Sequence, residues 1–439
     1  MNRLFLLPYF MLYLGLGSNS CVGKSTETIM AVEKTDCCKS DLKNTYEVYI
    51  PERDNSVEKL PLLIIIDSHG NGKFALDKFK HGANQYPVVL VASNLIKNGF
   101  EGYEGAILTL IEDVRQKYPI GKVVFMTGFS GGARMALGYG LSHHLNGLIL
   151  CGALANSDQI NALHCPVISI SGMDDFNFME TAQFLFQDQL MPGNLKIELT
   201  NASHSWPDSL MLANTFGFLS LSCQATDVPS PSKSKLDVYC QNQQTRINSL
   251  RRQGELLKAA LIARNMSSTE PFRNTQTFAS TYHDLKTSPE YTNQMDRLGK
   301  NLNYEISMRR PYLDAFQTKD TLWWKNEIRT VDEKIRTEQD SYTKDMYRRI
   351  KGFWGIACYS LCKQTLKKQN SEALNKILTI YRILEPKNPD MFYFSSFSYF
   401  WKGNNKATIA MLKKAIMAGF SDLSQLKNDF PEAITSMLQ

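Results

Sequence analysis

The stretch Gly128-Phe129-Ser130-Gly131-Gly132 decides the fold of this chain. An apolar, β-branched run precedes it at residues 123–126, and a helix-forming run follows it at residues 133–137. This pattern predicts a strand, a sharp turn and a helix, with a serine at the turn. Glycines surround the serine because a Cβ there would clash with the adjoining strand or helix. The helix amino terminus beneath the serine favours negative charge, although a structural or phosphate-binding loop would show a similar pattern.

Further residues with catalytic potential follow two later strands. One strand-like run leads into Asp174-Asp175, and the next leads into a loop that contains His204. Ligands bind where parallel strands end at their carboxyl edge, so these loops can meet the loop of Ser130. A serine hydroxyl needs a base within hydrogen-bond reach, and the base needs a carboxylate to orient it. The sequence therefore predicts Ser130 as nucleophile, His204 as base and one of the two aspartates as acid.

A fourth segment, Asp67-Ser68-His69-Gly70-Asn71-Gly72, follows the apolar run 60–66 directly. Backbone N–H groups of such a loop can point into the site. We expect the N–H groups of Gly131 and Asn71 to form an oxyanion hole, with the His69 ring as scaffold. The alternative is a glycine-rich turn without a catalytic role.

Taken together, these motifs resemble α/β-hydrolases of the esterase type, related to polyhydroxybutyrate-depolymerase-like and feruloyl-esterase-like proteins. The resemblance covers residues 45–222, less than half of the chain. It implies the chain order serine, acid, histidine, and its G-x-x-D spacing from Gly172 selects Asp175 over Asp174 as the acid. It further implies an ester-hydrolysing triad that uses no metal and no organic cofactor, and it says little about the substrate.

The fold class predicted for this part of the chain is α/β, a doubly wound and mostly parallel sheet. Strand-like apolar runs alternate with helical patterns, which is typical of parallel sheets with helices on both faces. The predicted strands are residues 44–51, 60–66, 87–92, 122–127, 148–150, 167–170 and 196–199, and the predicted helices are residues 103–117, 179–190 and 210–221.

A chain of 439 residues is expected to form two or three domains. After a Pro/Ser-rich linker the pattern becomes all-α, with tetratricopeptide-like repeats at 355–388 and 389–422. Pro386 and Phe420 are equivalent at the roughly 34-residue period of such repeats; an ordinary helical hairpin is the alternative. The predicted divisions are a signal peptide at 1–20, a tether at 21–43, an α/β-hydrolase domain at 44–222, a linker at 223–235, a helical region at 236–354 and tetratricopeptide-like repeats at 355–439.

The amino terminus has the pattern of a secretory leader. Asn2-Arg3 is positive, residues 4–16 are apolar, and small residues lead into Cys21. Cys21 resembles the lipid-attachment cysteine of bacterial lipoproteins. The leader therefore predicts an exported protein at the cell envelope, lipid-anchored to a bacterial membrane; plain secretion and a retained leader are the alternatives.

Composition excludes few other classes. The net charge of +6 is spread over mixed acidic and basic residues, so it does not favour a nucleic-acid partner. Eight cysteines remain besides Cys21, an even number that permits disulfides in an exported chain. No zinc-ligand spacing is present among them.

The function predicted is that of an exported serine hydrolase that cleaves carboxylic esters through an acyl-enzyme. A serine peptidase or amidase with the same triad is one alternative, and an envelope-anchored interaction protein with an idle hydrolase-like domain is the other. The short segments that separate Ser130, Asp175 and His204 leave no room for a large cap. The site is therefore either open, which would suit a polymeric or carbohydrate-linked ester, or covered by the carboxy-terminal helices. The helical repeats could bind a protein partner.

Overall fold

The computed structural model describes residues 28–55, 57–186, 191–223, 225, 231–272 and 276–438. The predicted leader and Cys21 lie outside these residues, so export and lipid attachment stay predictions. Among the helices described, none combines the length and the apolar character needed to cross a bilayer.

An eight-stranded mixed sheet forms the centre of the first half of the chain. Its strand order is β10-β9-β8-β7-β5-β6-β3-β2, parallel from β10 to β6 and antiparallel at β3 and β2, while β1 and β4 form a separate two-stranded pair. The strands are β1 Thr28–Ile29, β2 Val32–Cys37, β3 Thr45–Ile50, β4 Arg53–Asp54, β5 Leu60–Ile66, β6 Val89–Ser93, β7 Ile120–Phe129, β8 Gly147–Cys151, β9 Val167–Gly172 and β10 Leu195–Thr200.

Helices cover both faces of this sheet. The helices of the first half are α1 Gly72–Gln85, α2 Tyr103–Lys117, α3 Gly131–Ser142, α4 Ser157–Asn161, α5 Phe178–Leu185 and α6 Ser209–Ser222. Phe79 of α1 and Phe216 of α6 are buried with Leu63 on one face, and Ala136 of α3 is buried with Met126 on the other. The central strands are apolar on both sides because both sides are covered. The predicted α/β fold class, followed by an all-α region, is confirmed.

The predicted tether at 21–43 is wrong for the residues from 32 to 37. These residues form β2, which pairs antiparallel with β3 along its whole length, from Val32 opposite Ile50 to Cys37 opposite Thr45. The segment is polar because β2 is an edge strand with its side chains mostly towards solvent. The sheet domain, which we define as β1–β10 with α1–α6, therefore begins before residue 44.

The second half of the chain is helical, and we call it the helical region. Its helices are α7 Lys233–Arg252, α8 Leu256–Ser267, α9 Gln276–Lys286, α10 Pro289–Thr318, α11 Thr321–Thr337, α12 Ser341–Lys367, α13 Ser371–Leu384, α14 Pro389–Phe400, α15 Asn405–Met417, α16 Leu423–Asp429 and α17 Glu432–Thr435. Side-chain caps define several starts: Ser288 caps α10 and Asn388 caps α14, each with proline in the first helical position.

Two predicted boundaries in this half are wrong. Helix α7 begins at Lys233, inside the predicted linker, and α12 runs without a break through the predicted boundary at 354/355. The helical region also shares cores with the sheet domain: Leu257 and Leu298 are buried in one face's core, and Ile247 and Phe272 in the other's. A third core is made by the later helices alone.

The predicted helical hairpins are present in the later helices. Helix α12 packs on α13 and α14 packs on α15. Gly403, between α14 and α15, has φ +70°, a conformation that favours glycine. Phe394 and Phe397 of α14 are buried in the core of the later helices. That these hairpins are tetratricopeptide repeats stays a prediction.

Candidate active site

The turn after β7 holds Ser130 in a strained conformation. Its φ is +55° and its ψ is −115°, a backbone conformation that residues other than glycine rarely adopt. A Cβ on Gly128 would lie 2.3 Å from Gly132, and a Cβ on Gly132 would lie 2.1 Å from the Ile66 carbonyl oxygen. Glycine at both positions therefore lets α3 start directly against β7 and β5. The turn lies at the carboxyl edge of the sheet.

Ser130, His204 and Asp175 form a continuous hydrogen-bonded chain. Ser130 Oγ lies 2.9 Å from His204 Nε2, and His204 Nδ1 lies 2.9 Å from both carboxylate oxygens of Asp175. With Nδ1–H donating to the carboxylate, Nε2 is left to accept the proton of the serine hydroxyl. Asp175 is 1% exposed, and it also accepts a hydrogen bond from the Asn177 N–H at 2.8 Å. The structure thus brings together three residues from loops far apart in the chain.

The side chain of the neighbouring Asp174 points away from these three hydrogen-bonded residues. Its carboxylate faces the helical region, 3.8 Å from Arg348 and near Asp345. Burial, and after it the charge of Asp345, raise the pKa of Asp174 to about 6 against the lowering effect of Arg348. Of the two aspartates that the sequence offered, the structure places Asp175 on His204.

Aromatic rings enclose the imidazole of His204. Its centroid lies 4.7 Å from the Phe129 ring on one side and 4.2 Å from the Phe176 ring on the other. The loop of His204 also rests against the end of β9, where a Cβ on Gly172 would lie 2.0 Å from the Ala202 carbonyl oxygen. This packing leaves the His204 side chain 19% exposed, so the ring reaches the cavity with one edge only.

The loop after β5 is organised by Asp67. Its buried carboxylate accepts hydrogen bonds from the Trp206 indole at 2.8 Å, the His69 N–H at 2.9 Å and the Asn71 N–H at 3.2 Å. Asn71 also caps α1 through its side chain. The Asn71 N–H is therefore engaged within its own loop and is not free for the oxyanion role expected from the sequence. The His69 ring lines the cavity beside Ser130 and contacts Ser68, 3.1 Å away.

Asn98 approaches Gly131 from another loop. A Cβ built on Gly131 would lie 1.6 Å from Asn98 Oδ1 and 3.4 Å from Nδ2, so the amide rests directly on Gly131. The Asn98 N–H donates to the Ser68 carbonyl at 2.9 Å, which fixes the two loops to each other. The sequence showed only that Asn98 follows a strand ending at the same edge.

The helical region lines the far side of the cavity over Ser130. This cavity has a volume of about 520 Å³, and its far wall includes Arg348 and Gly352 of α12 and Tyr381 of α13. A second cavity of about 420 Å³ adjoins it and shares His69, Asn98, Tyr359 and Asp390 with it, among other residues. Of the two arrangements left open by the sequence, the one with the carboxy-terminal helices over the site is the one present.

Two carboxylates, those of Glu385 and Asp390, line the far wall of this cavity. Burial raises the pKa of Glu385 and that of Asp390, while the His69 ring acts in the lowering direction on Asp390. Lys351, which lines the same cavity, is paired with Asp332. The cavity thus combines charged side chains with apolar and aromatic ones such as Ile356 and Tyr359.

The sheet topology and the chain order of the three site residues both fit the α/β-hydrolase fold. The sheet has the topology of an α/β-hydrolase, and the serine, aspartate and histidine that meet at its carboxyl edge follow each other in the order of that fold. No family model and no curated protein sequence matches the chain.

Solved structures match part of the chain at low identity. Est1E from Butyrivibrio proteoclasticus is 14% identical with a TM-score of 0.34, over 43% of this chain and 96% of that one. The esterase domain of a Rhodothermus marinus protein is 9% identical with a TM-score of 0.34, over 44% and 97%. A puromycin-hydrolyzing peptidase from Mycobacterium tuberculosis is 9% identical with a TM-score of 0.36, over 46% of this chain and 40% of the peptidase.

Proposed function

We propose that the chain is a serine hydrolase that cleaves carboxylic esters through an acyl-enzyme. The observation that carries this proposal is the hydrogen-bonded chain from Ser130 through His204 to Asp175, which opens into a cavity at the carboxyl edge of the sheet. A merely structural serine would not need the strained backbone seen at Ser130.

In the acylation step, Ser130 Oγ attacks the ester carbonyl carbon while His204 Nε2 takes the hydroxyl proton. Asp175 stabilises the resulting imidazolium and keeps Nδ1 protonated. The tetrahedral intermediate collapses as His204 returns the proton to the alcohol oxygen, which leaves. Water then attacks the acyl-serine with His204 as base, and the carboxylic acid and free Ser130 result.

Two groups support the oxyanion in this proposal. The Gly131 N–H follows the nucleophile at the start of α3, where the helix dipole favours negative charge. Asn98 supplies the second donor, because a half-turn of its amide about the Cβ–Cγ bond presents the NH₂ group beside Gly131. This assignment replaces the Asn71 N–H, which Asp67 engages.

The cleft suits an ester with polar groups on both sides of the scissile bond. The two adjoining cavities share His69, Asn98 and Asp390 in their walls. Carboxylates and tyrosines on the wall accept hydrogen bonds and stack on rings, as a carbohydrate-linked ester would require. A long polymer fits less well, since the helices cover the site.

Replacement of Ser130 tests the proposal. We expect Ser130→Ala to lose at least about 10⁴-fold in kcat on a p-nitrophenyl ester and to lose labelling by a fluorophosphonate probe, with the fold intact by circular dichroism. Ser142→Ala is the matched control, since Ser142 is an exposed serine at the other end of α3. Labelling by the probe that persists in Ser130→Ala would refute the assignment.

The same purified protein separates the remaining alternatives. Matched ester and anilide substrates with one acyl group distinguish an esterase from an amidase or peptidase. Absence of labelling in the unmodified protein would favour the interaction protein with an idle site.

A further inference from the structure

The helical region reaches the loop of Asp175 through a buried arginine. Arg349 of α12 is 0% exposed, and its Nη1 donates to the Met173 carbonyl oxygen. Its Nε donates to Glu305 Oε2 of α10 at 2.8 Å, and its guanidinium lies over the Phe178 ring, 5.0 Å from the centroid. A charge buried so completely is costly unless its partners are well placed, so this arrangement fixes α12 against the loop.

A second arginine holds the other side of the same loop. Arg309 Nη2 donates to the Phe176 carbonyl oxygen at 2.8 Å and to Glu305 Oε1 at 2.8 Å. Glu305, itself fully buried, therefore bridges the two arginines with its two oxygens. The two carbonyls that the arginines hold, at residues 173 and 176, lie on either side of Asp174-Asp175.

The position of this loop sets the position of the acid. The Asp175 carboxylate must stay within 2.9 Å of His204 Nδ1. Hydrogen bonds to the sheet domain also hold its loop, among them that from Asn177 Nδ2 to the Gly152 carbonyl oxygen at 2.8 Å, and the contacts from the helical region add to these. Phe176, which carries one of the held carbonyls, also packs on the His204 ring. A shift of the loop would therefore move both groups that orient the imidazole.

We propose that Arg349, Glu305 and Arg309 form a clamp by which the helical region positions the acid of the triad. The three are positioning residues: they act through the loop and do not touch the reacting atoms. The inference rests on the proposed function for its catalytic consequence. It makes the helical region part of the active site's construction, since α10 and α12 hold both sides of the loop that carries Asp175.

Variants of Arg309 test the clamp most cleanly, because its side chain is 27% exposed and tolerates change better than that of Arg349. We expect Arg309→Gln to lower kcat about 10- to 100-fold with KM nearly unchanged, the cost of a misplaced catalytic group. We also expect faster hydrogen–deuterium exchange in residues 173–178. Arg309→Lys keeps the charge and one donor and should recover part of both. The neighbouring Arg310→Gln, at a side chain that is 83% exposed, is the matched control and should change neither.

Hydrogen exchange separates this inference from the proposed function. If Ser130 proves unreactive in the unmodified protein, kcat gives no information, but exchange in residues 173–178 still compares Arg309→Gln with Arg310→Gln. Unchanged exchange in Arg309→Gln, or faster exchange with full kcat on the ester, overturns the clamp. Arg349→Gln should repeat the Arg309→Gln result if it folds, and the Arg309 pair decides the question if it does not.

Discussion

At the scale of single residues, the oxyanion site depends on how two loops compete for donors. The Asn71 N–H is held by Asp67, whereas the Asn98 amide rests on Gly131 with its side chain exposed to the cleft. A donor contributes to catalysis only where it is free to meet the developing charge. In the proposed mechanism the side chain of Asn98 meets that condition once its amide has turned its NH₂ group towards Gly131.

Removal of the Asn98 amide should therefore cost catalysis and little else. We expect Asn98→Ala to lower kcat on a p-nitrophenyl ester by about 10²- to 10³-fold while KM changes little, the usual loss for one oxyanion donor. Steady-state kinetics of the purified variant measures both constants.

Asn71→Ala is the matched control for this prediction. It removes the side-chain cap of α1 and should lower the free energy of unfolding by about 1 kcal/mol, with kcat unchanged. If Asn98→Ala keeps the wild-type kcat, the second donor has to be sought in a different loop, such as the one after β5.

The residues that the sequence could predict here are those whose chemistry is local. Ser130 is recognisable because glycines must surround a strained turn, and His204 and Asp175 because each follows a strand end. The sequence does not show that the Asn71 N–H is unavailable as an oxyanion donor, because Asp67 accepts its hydrogen bond only once the loop has folded. The position of Asn98 on Gly131 depends on a contact between loops that the sequence does not encode locally.

At the scale of elements, β2 shows how a polar segment becomes part of the sheet. Asp36 near its end accepts hydrogen bonds from the Tyr118 hydroxyl and the Cys37 N–H and pairs with Lys34 and Lys117. Burial alone raises the pKa of Asp36, but these hydrogen bonds outweigh it and hold the pKa well below the usual range. A charged group therefore ties the edge strand to the end of α2.

Asp36→Asn should lower the free energy of unfolding by about 1 to 3 kcal/mol at neutral pH, since it removes hydrogen bonds to a charged group. The native carboxylate is more acidic than that of the unfolded chain, so its contribution is complete above about pH 4. It is lost as the pH falls further, through the native pKa. Denaturant unfolding of both proteins at several pH values should show the difference shrinking in acid. If the two proteins have the same free energy of unfolding at pH 7, Asp36 does not stabilise the attachment of β2.

The elements predicted from the sequence were those with strong apolar runs. Buried strands such as β5 and β7 are mostly apolar because helices cover both of their faces. The edge strand β2 was missed because its side chains face solvent and resemble those of a polar tether. The predicted domain boundary at 354/355 falls inside α12, because the repeat spacing indicates which helices pair but not how far α12 extends before the repeat.

At the scale of the whole molecule, the helical region completes the sheet domain. Strand β10 is an edge strand, and α8 covers its open side: Asn265 donates to the Ile197 carbonyl at 2.9 Å, and Lys258 donates to Asn201. An uncovered edge of this kind would expose unpaired backbone groups and apolar side chains. No sequence motif marks this contact or the clamp on the loop of Asp175, because both join segments distant in the chain.

This arrangement predicts that part of the helical region unfolds together with the sheet, whereas the last helices form a core of their own. Leu257 of α8 is 2% exposed in a core shared with the sheet, and Leu374 of α13 is fully buried in the core of the later helices. Either residue's replacement by alanine should cost about 2 to 5 kcal/mol. Leu257→Ala should speed hydrogen exchange in β9 and β10, whereas Leu374→Ala should speed it in α12–α15 and leave those strands protected. Equal protection of β10 in the two variants would mean that the linker near residue 225 does separate independent folding units, and that α8 lies on the sheet without stabilising it.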